Sequence, residues 1–316
     1  MNRKSRFFLL LLLAGLTTRF AVAQEGVSYE NPNSVSPIPY YEQLYKQRIW
    51  SRVDLEQKQN RGFFFKGKEI TKLLIDAVMN DEIQTVYDAE AGLGELEKPM
   101  TKEEFVKRLQ KTQGDEGEPE PQPLYEEDWP YAVGEVVEYN GVNYESLKDE
   151  NLGNYPDTAP EYWKVWEGEK PEPFLPSEIT ILEVMEDVIF DKRRAREYRD
   201  VQSIKLVVPG KYTNDGSNYY VATFAYKDLE KFFREHPEKA LWYNQYNSAE
   251  NRNLADAFLL HLYQGQLYKV ENPENLTLQD IYGQDANGNP SIKAGLIGAE
   301  QVRMKMLERE HNLWSY

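Results

Sequence analysis

The chain has no cysteine in its 316 residues. That excludes disulfide scaffolds, a thiolate nucleophile and a lipidated cysteine at a processed N-terminus. Histidine is almost as scarce: there are three, His236, His261 and His311. No two of them stand at the i, i+4 spacing of a helical metal pair. No Gly-x-Ser-x-Gly elbow and no phosphate-binding loop occurs. Acidic pairs are abundant, but in so acidic a chain they carry no meaning without geometry. With the usual constellations missing, the sequence reads as non-enzymatic, with no cofactor and no metal. Positive charge is also in deficit, with 37 Lys and Arg against 53 Asp and Glu and a net charge of −16. Contact with phosphates needs clustered cations, so nucleic-acid binding is disfavoured. An acidic surface favours solubility and repels anionic membranes.

Long apolar runs are confined to the N-terminus. Arg3, Lys4 and Arg6 precede an apolar stretch from Phe7 to Leu16, and Ala21-Val22-Ala23 offers small residues at the positions a signal peptidase reads. This pattern predicts an export signal over residues 1–23, cleaved before Gln24. The run is too short to span about 30 Å of hydrocarbon, so no membrane span is expected in the mature chain. Removing the segment takes away four basic side chains and no acidic one, leaving 33 basic against 53 acidic.

Residues 24–48 read as an extended lead-in, because Pro32, Pro37 and Pro39 push their predecessors toward extended geometry. A main domain then runs over 49–112. Ile70, Leu73, Leu74, Ala77 and Val78 fall at helical spacing, predicting a helix over 68–80. Thr101 and Glu104 form a capping box before Phe105 and Leu109. Residues 113–124 are an acidic Pro/Gly linker, 125–166 a compact aromatic-rich segment, and 167–176 a second linker. Two linkers around a compact segment predict a small all-β module inserted in a larger domain. That domain resumes over 177–316. Residues 179–190, 201–208 and 219–225 favour strands. Leu229, Phe232 and Phe233 share one helix face, and Leu254, Ala257, Phe258, His261 and Leu262 another. The expected class is α+β.

The main domain carries a divergent internal repeat. Trp50, Asn60-Arg61, a helix with Leu74, Ile75 and Val78, then Ile83 and Val86, then Thr101 to Phe105 make one copy. Trp242, Asn251-Arg252, Phe258, Leu259 and Leu262, then Leu267 and Val270, then Thr277 to Ile281 make the other. Leu74 to Val86 matches Phe258 to Val270 at a constant spacing of 184 residues. Duplication is favoured over chance similarity of two amphipathic helices.

The densest positive patch follows Asp191: Lys192, Arg193, Arg194, Arg196 and Arg199. It reads either as a solvated turn balanced by nearby acids or as a docking patch for an acidic partner. His261, among apolar neighbours, reads as a packed core residue. Asn275-Leu-Thr277 matches a glycosylation sequon by chance. In the inserted segment, Asn140-Gly141 between alternating apolar residues signals a type I′ hairpin. Its rings, Trp129, Tyr131, Tyr139, Tyr144, Trp163 and Trp166, either stack on sugars or serve as the only core so short a segment can build.

Several blocks together resemble the GldN/PorN family. They are Arg48-Ile-Trp50 with Arg52-Val-Asp54 through Asn60; Glu69-Ile70 through Ala77; Ile181-Leu-Glu-Val184 through Ile189-Phe-Asp-Lys-Arg193; and Trp242 through Asn251-Arg252 with Asp256-Ala257-Phe258. The resemblance implies a periplasmic protein of the type IX secretion and gliding-motility machinery. Such a protein assembles with the outer-membrane lipoprotein GldK/PorK into large rings. The inserted segment departs from that family and resembles a chitin-binding type 3 module, of carbohydrate-binding families 5 and 12. The carrying residues are Trp129, Tyr131, Gly134-Glu135, Val137, Tyr139-Asn140-Gly141, Tyr144, Ser146, Trp163 and Trp166. Where such modules carry exposed tryptophans, this chain has Leu147-Lys148. The alternative function is therefore a soluble envelope protein that binds peptidoglycan or another glycan through 125–166.

Overall fold

The computed structural model describes residues 30–89, 96–111, 122–166, 172–285 and 287–313. The expected signal segment, most of the first linker and half of the second lie outside the described residues. Helices and sheets both occur, so the class is α+β.

Period-two alternation over 43–54 builds a long strand, β1 (Gln43–Asp54), in which Ile49, Ser51 and Val53 point to one side and Lys46, Arg48, Trp50 and Arg52 to the other. The lead-in expected through residue 48 therefore ends earlier, at Gln43. A short hairpin of β2 (Phe64–Phe65) and β3 (Lys68–Glu69) leads into α1 (Ile70–Met79). Edge strands β4 (Val86–Tyr87) and β5 (Pro99–Met100) precede α2 (Lys102–Arg108). After the inserted segment come β9 (Ile181–Asp191), β10 (Arg196–Val208) and β11 (Tyr219–Ala225). Next are α3 (Tyr226–Glu235), the pair β12 (Leu241–Trp242) and β13 (Arg252–Asn253), and α4 (Leu254–Leu259). Strand β14 (Gln266–Val270), α5 (Leu278–Tyr282) and α6 (Ile292–Leu313) follow.

Seven of these strands form one antiparallel sheet in the order β14-β1-β9-β10-β11-β4-β5, and β2-β3 and β12-β13 are separate pairs. One face is covered by helices. Leu74, Phe105, Leu229, Phe233 and Phe258 pack there with Val53, Leu182, Val184, Ile204 and Leu206 in one core. A second cluster, on the same face, joins Ile49, Val188, Leu267 and Val270 to α5 and α6. Phe258 is the hub: its ring lies 5.2 Å from Phe63, 5.6 Å from Tyr226 and 5.5 Å from Tyr263.

The two similar stretches are wired crosswise. The strand after α1, β4, pairs with β11; the strand after α4, β14, pairs with β1. Ile70 and Leu254, which open the two helices, keep the 184-residue spacing. The helix ends do not. Asp81 and His261 both adopt left-handed backbone (φ 58° and 50°) just past their helices, 180 residues apart. They share a closing pattern: Asn80 and Leu260 donate to Asp76 and Asp256, and Glu82 and Leu262 to Ala77 and Ala257. The first helix has ten residues and the second six, a difference of about one turn. His261 accordingly falls beyond its helix rather than on its apolar face.

The inserted segment forms its own three-stranded antiparallel sheet: β6 (Val136–Tyr139), β7 (Val142–Ser146) and β8 (Trp163–Val165). Asn140 and Gly141, both at positive φ (55° and 79°), close the first hairpin as a type I′ turn demands. The two ends of the insertion meet: Lys111 N–H donates to Glu172 O at 2.8 Å, and Phe174 N–H to Leu109 O at 2.7 Å.

Candidate functional site

The interior strand β9 carries four buried carboxylates, Glu183, Glu186, Asp187 and Asp191. Isolated buried charge is costly, so each needs partners. On the face away from the helices, β1 supplies them. Arg48 grips Asp187 with two bonds (2.7 and 3.0 Å), and Lys46 adds a third contact at 2.8 Å. Four residues on, Arg52 Nε donates to Glu183 Oε1 at 2.7 Å while Tyr268 O–H donates to Oε2 at 2.8 Å. Burial pushes the Asp187 carboxyl up, but the bonds from Arg48 and Lys46 outweigh it and hold the group below the usual carboxylate range. The cations are about one-third exposed, with side-chain values of 30% for Lys46, 32% for Arg48 and 35% for Arg52, so the ladder sits at the sheet surface.

The expected patch is the turn between β9 and β10. Asp191 is its anchor. Its Oδ1 accepts the backbone N–H groups of Arg193 (2.8 Å) and Arg194 (3.1 Å), and its Oδ2 accepts Arg194 Nη1 at 2.7 Å. Burial raises the Asp191 carboxyl, yet these bonds lower it overall. Lys192 N–H donates to Glu42 O, and Arg193 Nη1 lies 3.4 Å from Glu42 Oε1. Arg196 stacks on Tyr198 at 4.3 Å. Arg199 pairs more loosely with Glu197 (3.6 Å) and Glu186 (3.9 Å). All five cations are exposed, but Arg196 and Arg199 lie on opposite faces of β10, Arg196 across from Asp191 and Arg199 beside Glu186 on the helix-covered face. The structure also gives them unequal duties: Arg194 holds the turn in shape, while Lys192 and Arg196 project from it.

On the helix-covered face, Glu186 accepts a hydrogen bond from Tyr263 O–H and lies 3.2 Å from His261 Nε2. Burial raises Glu186; His261, Tyr263 and Arg199 more than reverse this. His261 is expected in the core, but its side chain is 29% exposed at the rim of a small cavity. The physical reason is the early helix end, which leaves it on the loop leading to β14.

In the inserted segment, Tyr131 and Trp163 are buried together with Val137, and Tyr125, Tyr144 and Tyr162 pack around them. Trp163 Nε1 donates to Asn154 O at 2.8 Å, which fixes the ring inside. Buried rings present no free face to a sugar. Tyr139, Tyr144 and Trp166 are half-buried. Trp129 is the expected ring that stands out, 57% exposed, beside Leu124, Glu126 and Glu135 on a concave surface of about 510 Å³.

Sequence reading does not pair Lys46, Arg48 and Arg52 with the β9 carboxylates. A signal was present: Lys46-x-Arg48-x-Trp50-x-Arg52 alternates at the strand period. Among the described residues, no group of three His, Cys, Asp or Glu could hold a metal ion. No described helix is long and apolar enough to cross a membrane.

The profile of a protein family described as "Gliding motility associated protein GldN" matches residues 38–315. No curated protein matches the sequence.

Proposed function

The chain belongs to the GldN family of gliding-motility-associated proteins, and from that premise we propose that it is a non-catalytic, periplasmic subunit of the type IX secretion and gliding machinery. It assembles with a GldK/PorK-like outer-membrane lipoprotein into a ring under the outer membrane. The observation that carries this reading is the family match from residue 38 to 315, which runs across both halves of the sheet. The two halves are a duplicated unit, a reading supported by their crosswise wiring and shared helix ends. The partner contact is the turn that bears Lys192, Arg193, Arg194, Arg196 and Arg199. Its support is the exposure of five cations on one hairpin of a chain with net charge −16. Such a patch steers an acidic partner and fixes its orientation.

The test must spare Arg194, because a glutamate there would face buried Asp191. Lys192→Gln with Arg196→Gln leaves that anchor intact, whereas a glutamate at 196 would stand directly across the hairpin from Asp191. The double variant should co-purify poorly with the lipoprotein, the loss growing at low salt, while its thermal unfolding stays as in the wild type. Equal recovery at low and physiological salt would move the contact elsewhere.

A second reading is favoured by Trp129. The all-β insert is a glycan-binding module whose contact surface is that ring and its concave surroundings. Trp129→Ala should abolish retention on peptidoglycan without changing lipoprotein recovery; equal retention would leave the insert without a glycan role.

A further inference from the structure

Helix α6 has two apolar sides. One side, with Ala299, Val302 and Met306, packs on the sheet end at Ile49, Val188, Leu267 and Val270. Gly298 permits the close approach to α5, since a Cβ there would stand 2.4 Å from Tyr282 Cβ. The other side is open. Leu296, Ile297, Met304 and Leu307 are 47%, 50%, 58% and 48% exposed. At helical geometry these four lie within an arc of about 100°, so they form one stripe rather than scattered surface residues. Glu300 lies within the same stripe and Arg303 at its edge, and the two pair with each other at 3.4 Å.

We propose that this outward stripe is a homodimer interface, on which a second copy of the chain lays its own α6 antiparallel. The two-fold axis passes between Gln301 and Val302. The helix supplies both halves of the match. In that register Leu296 faces Leu307 of the second copy, and Glu300 faces Arg303 of the second copy, each contact occurring twice, as a self-complementary two-fold interface requires. A parallel pair would set Glu300 against Glu300 and Arg303 against Arg303, which repel. With 22 residues, α6 is about 33 Å long, enough for Leu296 and Leu307 both to be covered by one partner helix, with Ile297 and Met304 at the edge of the contact. The chain's net charge of −16 opposes self-association only weakly at physiological salt, where charges farther apart than about 8 Å are largely screened. The inference stands apart from the ring reading, because it concerns the chain with itself.

Purified mature protein without other envelope components should sediment as a concentration-dependent dimer. Leu296→Asp and Leu307→Asp should each weaken dimerisation at least about tenfold, with unchanged circular dichroism and unfolding temperature. Glu300→Arg alone and Arg303→Glu alone should weaken it too, and the two together should restore it. The absence of native cysteine permits a register test. Leu296→Cys with Leu307→Cys should give a disulfide-linked dimer under mild oxidation. Within one helix these positions are about 16 Å apart and cannot join. Each single cysteine variant should stay unlinked. A wild type that remains monomeric up to about 100 µM, or aspartate variants that dimerise as well as wild type, would overturn the proposal. Linkage of a single cysteine variant would overturn the antiparallel register.

Discussion

Asp187 and Asp200 occupy neighbouring strands in direct register, yet their surroundings push them in opposite directions. Arg48 and Lys46 overcome the burial of Asp187 and hold its carboxyl low. Asp200 is raised by burial, which Ser34 and Gln202 only partly offset, and the charge of Asp187 adds to the rise. Glu197 is raised as well, by burial and by Glu310. Linkage fixes the consequences. A carboxylate held low stabilises the fold above its unfolded value, about 3.9 for aspartate, and that contribution is lost as pH falls through the folded value. A carboxyl held high acts the other way: it disfavours the fold at neutral pH and is relieved as it takes up a proton. Stability should therefore be flat or rise slightly as pH falls from 7 toward 5, then drop steeply below about 4. Urea unfolding across pH checks this. Asp200→Asn should reduce the upper rise, leaving the part that Glu197 contributes. Asp187→Asn should lower stability at pH 7 and flatten the acid limb; a steep limb of unchanged size in that variant would assign the acid loss to other groups.

Single elements depend on short-range devices that the sequence displays openly. Thr101 caps α2: its hydroxyl accepts Glu104 N–H at 3.2 Å, and Glu104 reaches back to Thr101 N–H at 2.9 Å. Thr277 and Asp280 repeat the arrangement at α5, at 3.2 and 2.8 Å. Loss of such a cap costs about 1 kcal/mol. The two sites should nevertheless differ in reach. Phe105 of α2 lies in the main core, so Thr101→Ala should lower the global unfolding free energy by about that amount. Helix α5 packs on α6 and on the β14 end of the sheet, apart from the main core, so Thr277→Ala should act locally. Hydrogen exchange should quicken in 278–313 with little change in the main transition. Faster exchange throughout the sheet would show that α5 and α6 unfold together with the core.

The molecule as a whole is a helix-covered sheet with a second small sheet hung from it. The insert's apolar cluster shares no residue with the main one. Its ends already lie side by side, joined through Lys111 and Glu172. Replacing residues 112–171 by a few Gly and Ser residues should thus leave the main thermal transition within a few degrees of wild type, since loop closure entropy varies only slowly with length. A collapse of that transition would make the insert part of the main fold.

What the sequence determined alone was mostly local. Strand β11 begins and ends where its apolar run does, at Tyr219 and Ala225. The Asn140-Gly141 turn and the Thr101-Glu104 cap are where their residue types demand. Composition set the absence of disulfides and the acid balance. What only tertiary structure decided depends on pairs distant in the chain. Asp187 appears as one acid in an apolar strand until β1, 139 residues earlier, lays Arg48 beside it. The insert's rings look alike in sequence, but closure of the small sheet buries Trp163 and leaves Trp129 out. His261 fits an apolar helical pattern, and the structure ends that helix two residues before it, at Leu259. The reason is common to all three. Periodicity and turn chemistry act within a few residues. Whether a charge is paired, a ring covered or a helix stopped depends on which distant segment packs against it, and only the assembled sheet determines that.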